Sequence, residues 1–423
     1  MSLRSLARTV GIALACSLLT LVVLLGGLEL FWRATTPFLE VKWPARFDPR
    51  VGFDFEPGST VQWTNHVDFW AVSRANALGF LDREPPTTRD GGCRVLFVGD
   101  SFVEAAQVTL EERVQLLFEQ RANAGPGPRV RTMALGYSGT GQANQLPFID
   151  VLGADFAPDL VVLVVVGNDF ANNSPVLEGL RNGWSPDATP RYFLRAHPDG
   201  IRPLEIAPDW SARRLVVPEF VPDALQRAHA AARTSSYLYA WLYAHLGPQY
   251  PALAATLTDP PARAIAARMA PMAAALGDPT IFEGWRYPDD TTMDWMFYAP
   301  DPLPRVFEQA LRETDAAIGA IVALGAARGF RVVALGTSTL RPPDLGDRFG
   351  RPLDPELGVR RWRAAFARHG VPWIDQGEHA AQLGVAPEAL RFRRDAHWSA
   401  EGHRVAAEAT YAWFAGADVC RGR

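Results

Sequence analysis

Ser101 stands last but one in the run RVLFVGDSF, residues 94–102, directly after a stretch of apolar residues and a glycine–aspartate pair. A serine hydroxyl becomes a nucleophile when a base takes its proton and a carboxylate holds that base in orientation. The far end of the chain offers both in the tetrapeptide DAHW, where Asp395 stands two residues before His397. Attack on a carbonyl also creates an oxyanion, which needs backbone N–H groups or a side-chain amide as donors. Glycine-bearing loops at Gly99, Gly136, Gly139 and Gly167, the last followed by an asparagine, offer groups of these kinds. These residue types suggest acyl chemistry through a covalent serine intermediate. Ser101, His397 and Asp395 would be catalytic.

Residues so far apart in sequence must be positioned by regular elements. Residues 95–98 are β-branched, apolar or aromatic and bounded by Gly92 and Gly99, which reads as a strand buried on both faces. Thr109 and Glu112 form a Thr-x-x-Glu capping box ahead of a helical pattern reaching residue 123. Residues 130–135 make a second strand ending in GYSGTGQ, and a helical segment follows to about residue 154. The run 160–166, LVVLVVV, is too short to span a bilayer and too β-branched for a helix. Beyond residue 303 the rhythm resumes: helix 304–329, strand 331–335, helix 356–369, strand 371–374, and a closing helix capped by Ser399. Such alternation predicts an α/β protein with a parallel sheet. Glycine-bearing loops then fall at the strand ends where open α/β sheets bind ligands.

Three regions lie outside this pattern. Residues 10–30 are almost continuously apolar and follow Arg4 and Arg8, as expected of a membrane anchor with a cytoplasmic N-terminus and an exported remainder. A cleaved signal peptide is the rival, but no A-x-A site follows the run. Residues 36–90, rich in proline and aromatics, read as short strands and turns forming a flap over the sheet or contributing to substrate binding. Residues 174–303 read as a largely helical insertion or lid, with helices over 224–246 and 262–276 and a Trp- and Pro-rich patch at 285–304. The expected organisation is an anchor (1–35), a flap (36–90) and a main domain (91–423) carrying the insertion.

Composition excludes some function classes. The 423 residues are 48% hydrophobic with a net charge of -4 and no long basic run, which argues against a nucleic-acid partner. Three scattered cysteines without CxxC, and eight dispersed histidines, indicate no metal cluster, and serine acyl chemistry needs no cofactor. Cys93 begins the first strand and Cys420 follows the helix expected to return beside it. In an exported domain the two are either disulfide-bonded or both free. Asp100 and Asp169 read as turn residues, and His403 as a packed or surface histidine.

The four blocks together resemble the SGNH (GDSL-type) hydrolase family, over residues 93–173 and 304–415. GDSF matches the block that carries the nucleophile, Ser101. Gly139 matches the oxyanion glycine and Asn168 the amide donor, which with the N–H of Ser101 would form the oxyanion hole, and DAHW matches the block with the base His397 and its acid Asp395. The resemblance implies a three-layer, flavodoxin-like sheet and ester hydrolysis without a cofactor. It has two departures. Ala134 stands where the family often has asparagine, and Asp395 and His397 are two apart rather than three, as in membrane-anchored and polysaccharide-modifying relatives. The implied substrate is an acyl ester of envelope carbohydrate or lipid. The same residues would serve an O-acyltransferase, and a non-catalytic envelope scaffold is the third alternative. The oligomeric state is not legible.

Overall fold

The computed structural model describes residues 3–86, 92–125, 127–215, 222–258, 261–286, 288–341, 353–417 and 419–420. Residues 87–90 of the expected flap and 216–221, 259–260 and 287 of the expected insertion lie outside the described residues. By compactness the chain forms two units: one of residues 1–41, 64–70 and 221–259, the other of 42–63, 71–220 and 260–423. The 174–303 segment is thus shared between the two units.

The larger unit is built on a five-stranded parallel sheet. Its strands are β1 (Cys93–Gly99), β2 (Val130–Gly136), β3 (Leu160–Val165), β4 (Arg331–Gly336) and β5 (Trp373–Asp375). Their order across the sheet is β2-β1-β3-β4-β5, the doubly wound arrangement in which chain direction switches beside β1. Alternation along each strand divides the side chains between two cores. Val95, Phe97, Val162, Val164 and Leu335 pack with Phe118 and Ala406 from the helices Val114–Asn123 and Ala400–Gly416. Leu96, Val98, Val161, Leu163 and Ala334 pack with Ile318, Ile321, Trp362 and Phe366 from the helices Arg305–Arg328 and Pro355–Arg368. A sheet covered on both faces needs apolar side chains at every position, which is why β1 and β3 lack polar alternation.

The outer edge of β2 is covered by Asp82 and Arg83, which precede the sheet, and by Glu119 from the helix after β1. The Ala134 N–H donates to Asp82 Oδ2 at 2.8 Å, and the Arg83 guanidinium donates to the Thr132 carbonyl at 2.8 Å. Glu119 accepts from the Thr132 N–H at 2.7 Å. These side chains occupy donors and acceptors that an open edge would offer to another strand.

Three expected elements differ. The Thr109–Glu112 pair holds only a tight turn, Leu110–Glu112, and the helix begins at Val114. Arg113 between them is extended because its buried guanidinium reaches back to the Leu81 carbonyl and Ser73 Oγ. The helix after Gln142 ends at Pro147 and passes into a wider turn, Phe148–Leu152, since proline lacks the N–H that would continue the ladder. The expected 224–246 helix is two, Ala224–Ser235 and Tyr237–Leu246. Ser236 is extended between them, and its hydroxyl accepts from the Tyr239 N–H as an N-cap.

The smaller unit combines α1 (Leu3–Thr35) with those two helices and a third, Pro251–Thr258. Within α1, residues 8–35 have a mean hydropathy of 2.4 in their most apolar window, with none of that window buried. That is long and apolar enough to cross a membrane, a property that signal sequences share.

Candidate active site

The nucleophile loop is shaped by close backbone approach. Asp100 caps the short helix Ser101–Glu104 by accepting from the Phe102 N–H at 3.0 Å. That helix crosses directly over the end of β2: a Cβ at Gly136 would lie 2.2 Å from the Glu104 nitrogen. A Cβ at Gly99 would lie 2.6 Å from Val103. Only glycine admits the helix at this height above the sheet, and Ser101 is held at 9% exposure.

His397 comes from the loop before the last helix. Its Nε2 lies 2.7 Å from Ser101 Oγ, and its Nδ1 is hydrogen-bonded to Asp395 Oδ1. The two-residue spacing works because Asp395 turns back on its own loop. The same oxygen accepts the His397 backbone N–H at 2.8 Å, so one carboxylate fixes both backbone and ring. Phe102 packs against the imidazole, with ring centroids 5.1 Å apart.

The electrostatics follow from this pairing. Burial by itself disfavours the imidazolium. The hydrogen bond and charge of Asp395, with Asp100 and Glu104 adding, outweigh it and raise His397 above the ordinary histidine value. Burial would also raise Asp395, yet its bonds to His397 hold it below the usual carboxylate range.

Asn168 follows β3. Its amide donates to Asn172 Oδ1 at 2.9 Å and to Asp100 Oδ2 at 3.3 Å. Ser101 Oγ lies 3.3 Å from that same Asp100 oxygen, so nucleophile and amide meet on one carboxylate. Gly139 has a φ of +67°, a left-handed conformation that favours glycine. It lines a cavity of about 440 Å³ together with Asn168, and Phe102 and Ala396, the neighbours of Ser101 and His397, line it too. The structure therefore gathers all five sequence-predicted residues at the carboxyl edge of the sheet.

Other residues of this site carry no motif. Glu104 is buried, and its carboxyl meets Ser138 twice, at the N–H (2.8 Å) and the hydroxyl (2.9 Å). Burial pushes its pKa up to about 8. Arg191, also buried, donates to the carbonyls of Gly139 and Ser138 and is paired with Glu178 at 3.4 Å. Glu104 and Arg191 thus grip the 138–139 turn from opposite sides, N–H and carbonyl. Proximity in sequence gave no signal for Arg191. Glu104 could have been noticed as an acid inside an otherwise apolar FVEAA segment.

Asp100 and Asp169 are both fully buried. Burial raises both, Asp169 well above the usual range with the Asp100 charge adding to the effect. Asp169 also accepts from Gln142 at 2.7 Å, so both aspartates serve the turns they sit in. His403 is buried too, accepts from the Val114 N–H at 3.3 Å and is held neutral, its pKa pushed down to about 3 by burial.

The far wall of the cavity comes from the insertion. Glu178, Arg181 and Asn182 lie on or beside the helix Pro175–Asn182, and Asp294 and Trp295 on Asp290–Trp295. Arg181 bonds Glu178 at 2.8 Å and Asp294 at 2.5 Å. Remote from the cavity, Cys93 and Cys420 are joined in a disulfide with Cα atoms 5.7 Å apart.

A doubly wound parallel sheet with a serine–histidine–aspartate set at its carboxyl edge is the class of architecture defined here. Neither a family model nor a curated protein matches the chain. Among solved structures the chain is similar to TesA, at 13% identity and a TM-score of 0.35, over 75% of this chain and 96% of that one. It is likewise similar to an acetyl xylan esterase, AlAXEase (12% identity, TM-score 0.35, 76% and 98% covered). A third such structure is a lipase/acylhydrolase from Enterococcus faecalis (11% identity, TM-score 0.34, 77% and 96% covered).

Proposed function

We propose that the chain is a serine-dependent carboxylic ester hydrolase. The observation that carries this reading is the continuous relay from Ser101 Oγ through His397 Nε2 and Nδ1 to Asp395. His397 takes the Oγ proton as the serine oxygen bonds to the ester carbonyl carbon. The carbonyl oxygen becomes an oxyanion received by the N–H groups of Ser101 and Gly139 and the Asn168 amide. Of the two Asn168 contacts, the 3.3 Å one to Asp100 is the weaker, and is the one exchanged for the oxyanion. The carbon–oxygen bond to the alcohol then breaks, and His397 returns its proton to that alcohol. A water molecule deprotonated by His397 next attacks the acyl-serine, releasing the acid and restoring Ser101. His397 must be neutral for both attacks.

The substrate side favours an ester of a polyhydroxylated alcohol, such as an acylated carbohydrate, over a long-chain lipid. Arg181, Asn182, Asp294 and Asn172 present donors and acceptors in the cavity, and Trp295 supplies a flat apolar face. A long acyl chain would bring hydrocarbon against these polar groups and has no polar partner of its own to offer them, whereas sugar hydroxyls have.

The chain is anchored by α1, with the α/β unit on the extracytoplasmic side. Arg4 and Arg8 before the apolar run support that orientation, and the Cys93–Cys420 disulfide suits an oxidising compartment.

The test is hydrolysis by the purified full chain of a short aryl acetate, acetylated oligosaccharides and a long-chain aryl ester. Acetylated sugar should be turned over with the highest kcat/KM, and Ser101→Ala should abolish it. Preference for the long-chain ester would reject the carbohydrate assignment, and activity surviving in Ser101→Ala would reject the enzyme assignment.

A further inference from the structure

The smaller unit holds an apolar surface that the chemistry at Ser101 does not use. Its central helix, Tyr237–Leu246, reads YLYAWLYAHL and carries no Asp, Glu, Lys or Arg. Leu246 at its end, and Tyr250 and Leu253 beyond it, are exposed at 44%, 58% and 58%. Together with Tyr239, Leu242 and Tyr243 they line a groove of about 320 Å³. A groove of this composition is costly to leave in water.

The end of α1 indicates what covers it. The Glu29 carboxylate accepts from Ser236 Oγ at 2.8 Å and from the N–H groups of Tyr237 (3.2 Å) and Leu238 (2.9 Å). It therefore caps the helix Tyr237–Leu246 from outside, at the N-terminal end where a negative charge is favoured. One turn on, Trp32 stacks on Trp241 with centroids 4.9 Å apart. The Arg33 guanidinium sits 5.0 Å from the Tyr237 ring centre and donates to the Ser235 carbonyl at 3.2 Å. Three neighbouring residues of α1 thus fix one end of the aromatic helix.

The level of that junction follows from α1 itself. Its apolar surface is unburied, and on the anchored reading proposed above that surface lies in the hydrocarbon of a bilayer. Glu29 and Arg33 are the first charged residues after Arg8, so they mark the far boundary of the hydrocarbon. The aromatic helix is pinned at that boundary and is rich in Tyr and Trp, the residues enriched at the headgroup level. We propose that residues 222–258 are seated in the membrane interface, and that the groove between Tyr243 and Leu253 receives an acyl chain of a bilayer phospholipid. A leader removed after export would take with it the cap, the stacking partner and the cation of this helix.

The experiment uses the full chain reconstituted in phosphatidylcholine vesicles containing one-fifth phosphatidylglycerol. Cys16, the free cysteine, is first replaced by serine. An environment-sensitive fluorophore is then attached at Leu246→Cys, at Leu253→Cys or, as an exposed control, at Asp199→Cys. All three sites are solvent-exposed, so the substitutions leave the packing intact. Fluorescence at 246 and 253 should be quenched several-fold more by spin-labelled acyl chains than by an aqueous quencher, with the reverse order at 199. Probes at 246 and 253 that behave like 199 would overturn the proposal. So would probes shielded from both quenchers, which would mean that protein, as in a second copy, fills the groove.

Discussion

The two loops that meet at Ser101 are built on opposite principles. On the nucleophile side the carboxyl groups of Asp100, Glu104 and Asp169 are sealed under the sheet edge, and burial raises all three. On the base side Asp395 and His397 keep 12% and 26% side-chain exposure, and Asp395 lies below the ordinary carboxylate range. Desolvation acts on every one of these acids. What separates them is whether a cationic partner is in direct contact, which only Asp395 has. The charged carboxylate is therefore the one that faces the imidazole, while Glu104, with a pKa of about 8, stays largely protonated at neutral pH beside the turn that carries Gly139. A neutral acid there grips the turn without opposing a developing oxyanion.

Breaking the Ser101–His397 pair, where the two sides meet, should have the largest effect. Ser101→Ala and His397→Ala are each expected to lower kcat by at least about 10⁴-fold, with the double variant little worse, because the two act as one unit. Strict additivity of the two losses in steady-state kinetics would separate them. Asp395→Asn keeps the loop's shape but removes the charge, and a loss of about 10³-fold is expected from mispositioned imidazole. Asn168→Ala, on the nucleophile side, should cost about 10²–10³-fold in kcat with little change in KM.

The pH profile sharpens the contrast between the loops. Because His397 is raised, activity should fall with acidification through a pKa above the ordinary 6.5 rather than at it. In Asp395→Asn that limb should move down, since its main raising partner is gone. On the alkaline side, deprotonation of Glu104 near pH 8 places a negative charge beside Ser138 and should depress turnover. Glu104→Gln keeps the hydrogen bonds but cannot ionise. It should lie within about threefold of wild type at pH 7, as expected of a neutral group acting only through position, and should lose the alkaline limb. An unchanged limb in that variant would remove Glu104 from the account.

Much of this was legible in the sequence because the sheet is parallel and covered on both faces. Continuous β-branched runs such as 160–166 then have little alternative, and glycines at the strand ends mark where the loops must turn closely. The residues in the four blocks were legible for the same reason, each sitting at a strand end or beside a cap. Glu104, Arg191 and Asp82 were not, because their partners are brought to them only by tertiary packing. The break at Ser236 was hidden by an otherwise unbroken apolar helical pattern, and its cause, a capping carboxylate from Glu29, lies 207 positions away.

The disulfide tests a smaller effect. It closes a separation of 327 residues between the start of β1 and the C-terminal segment. Cys420→Ser should lower unfolding free energy by about 2–5 kcal/mol, measured by denaturant titration. Activity at 25 °C should be little changed, because the bond lies at the opposite end of β1 from Ser101.

The central claim, that His397 activates Ser101 as a nucleophile, is tested most directly by covalent capture. The full chain is treated with an alkyl fluorophosphonate and the adduct is mapped by peptide mass spectrometry. One equivalent should attach at Ser101, at a rate that falls on acidification with the same raised pKa and collapses in His397→Ala. No adduct at Ser101, or one formed equally fast without His397, would contradict the account.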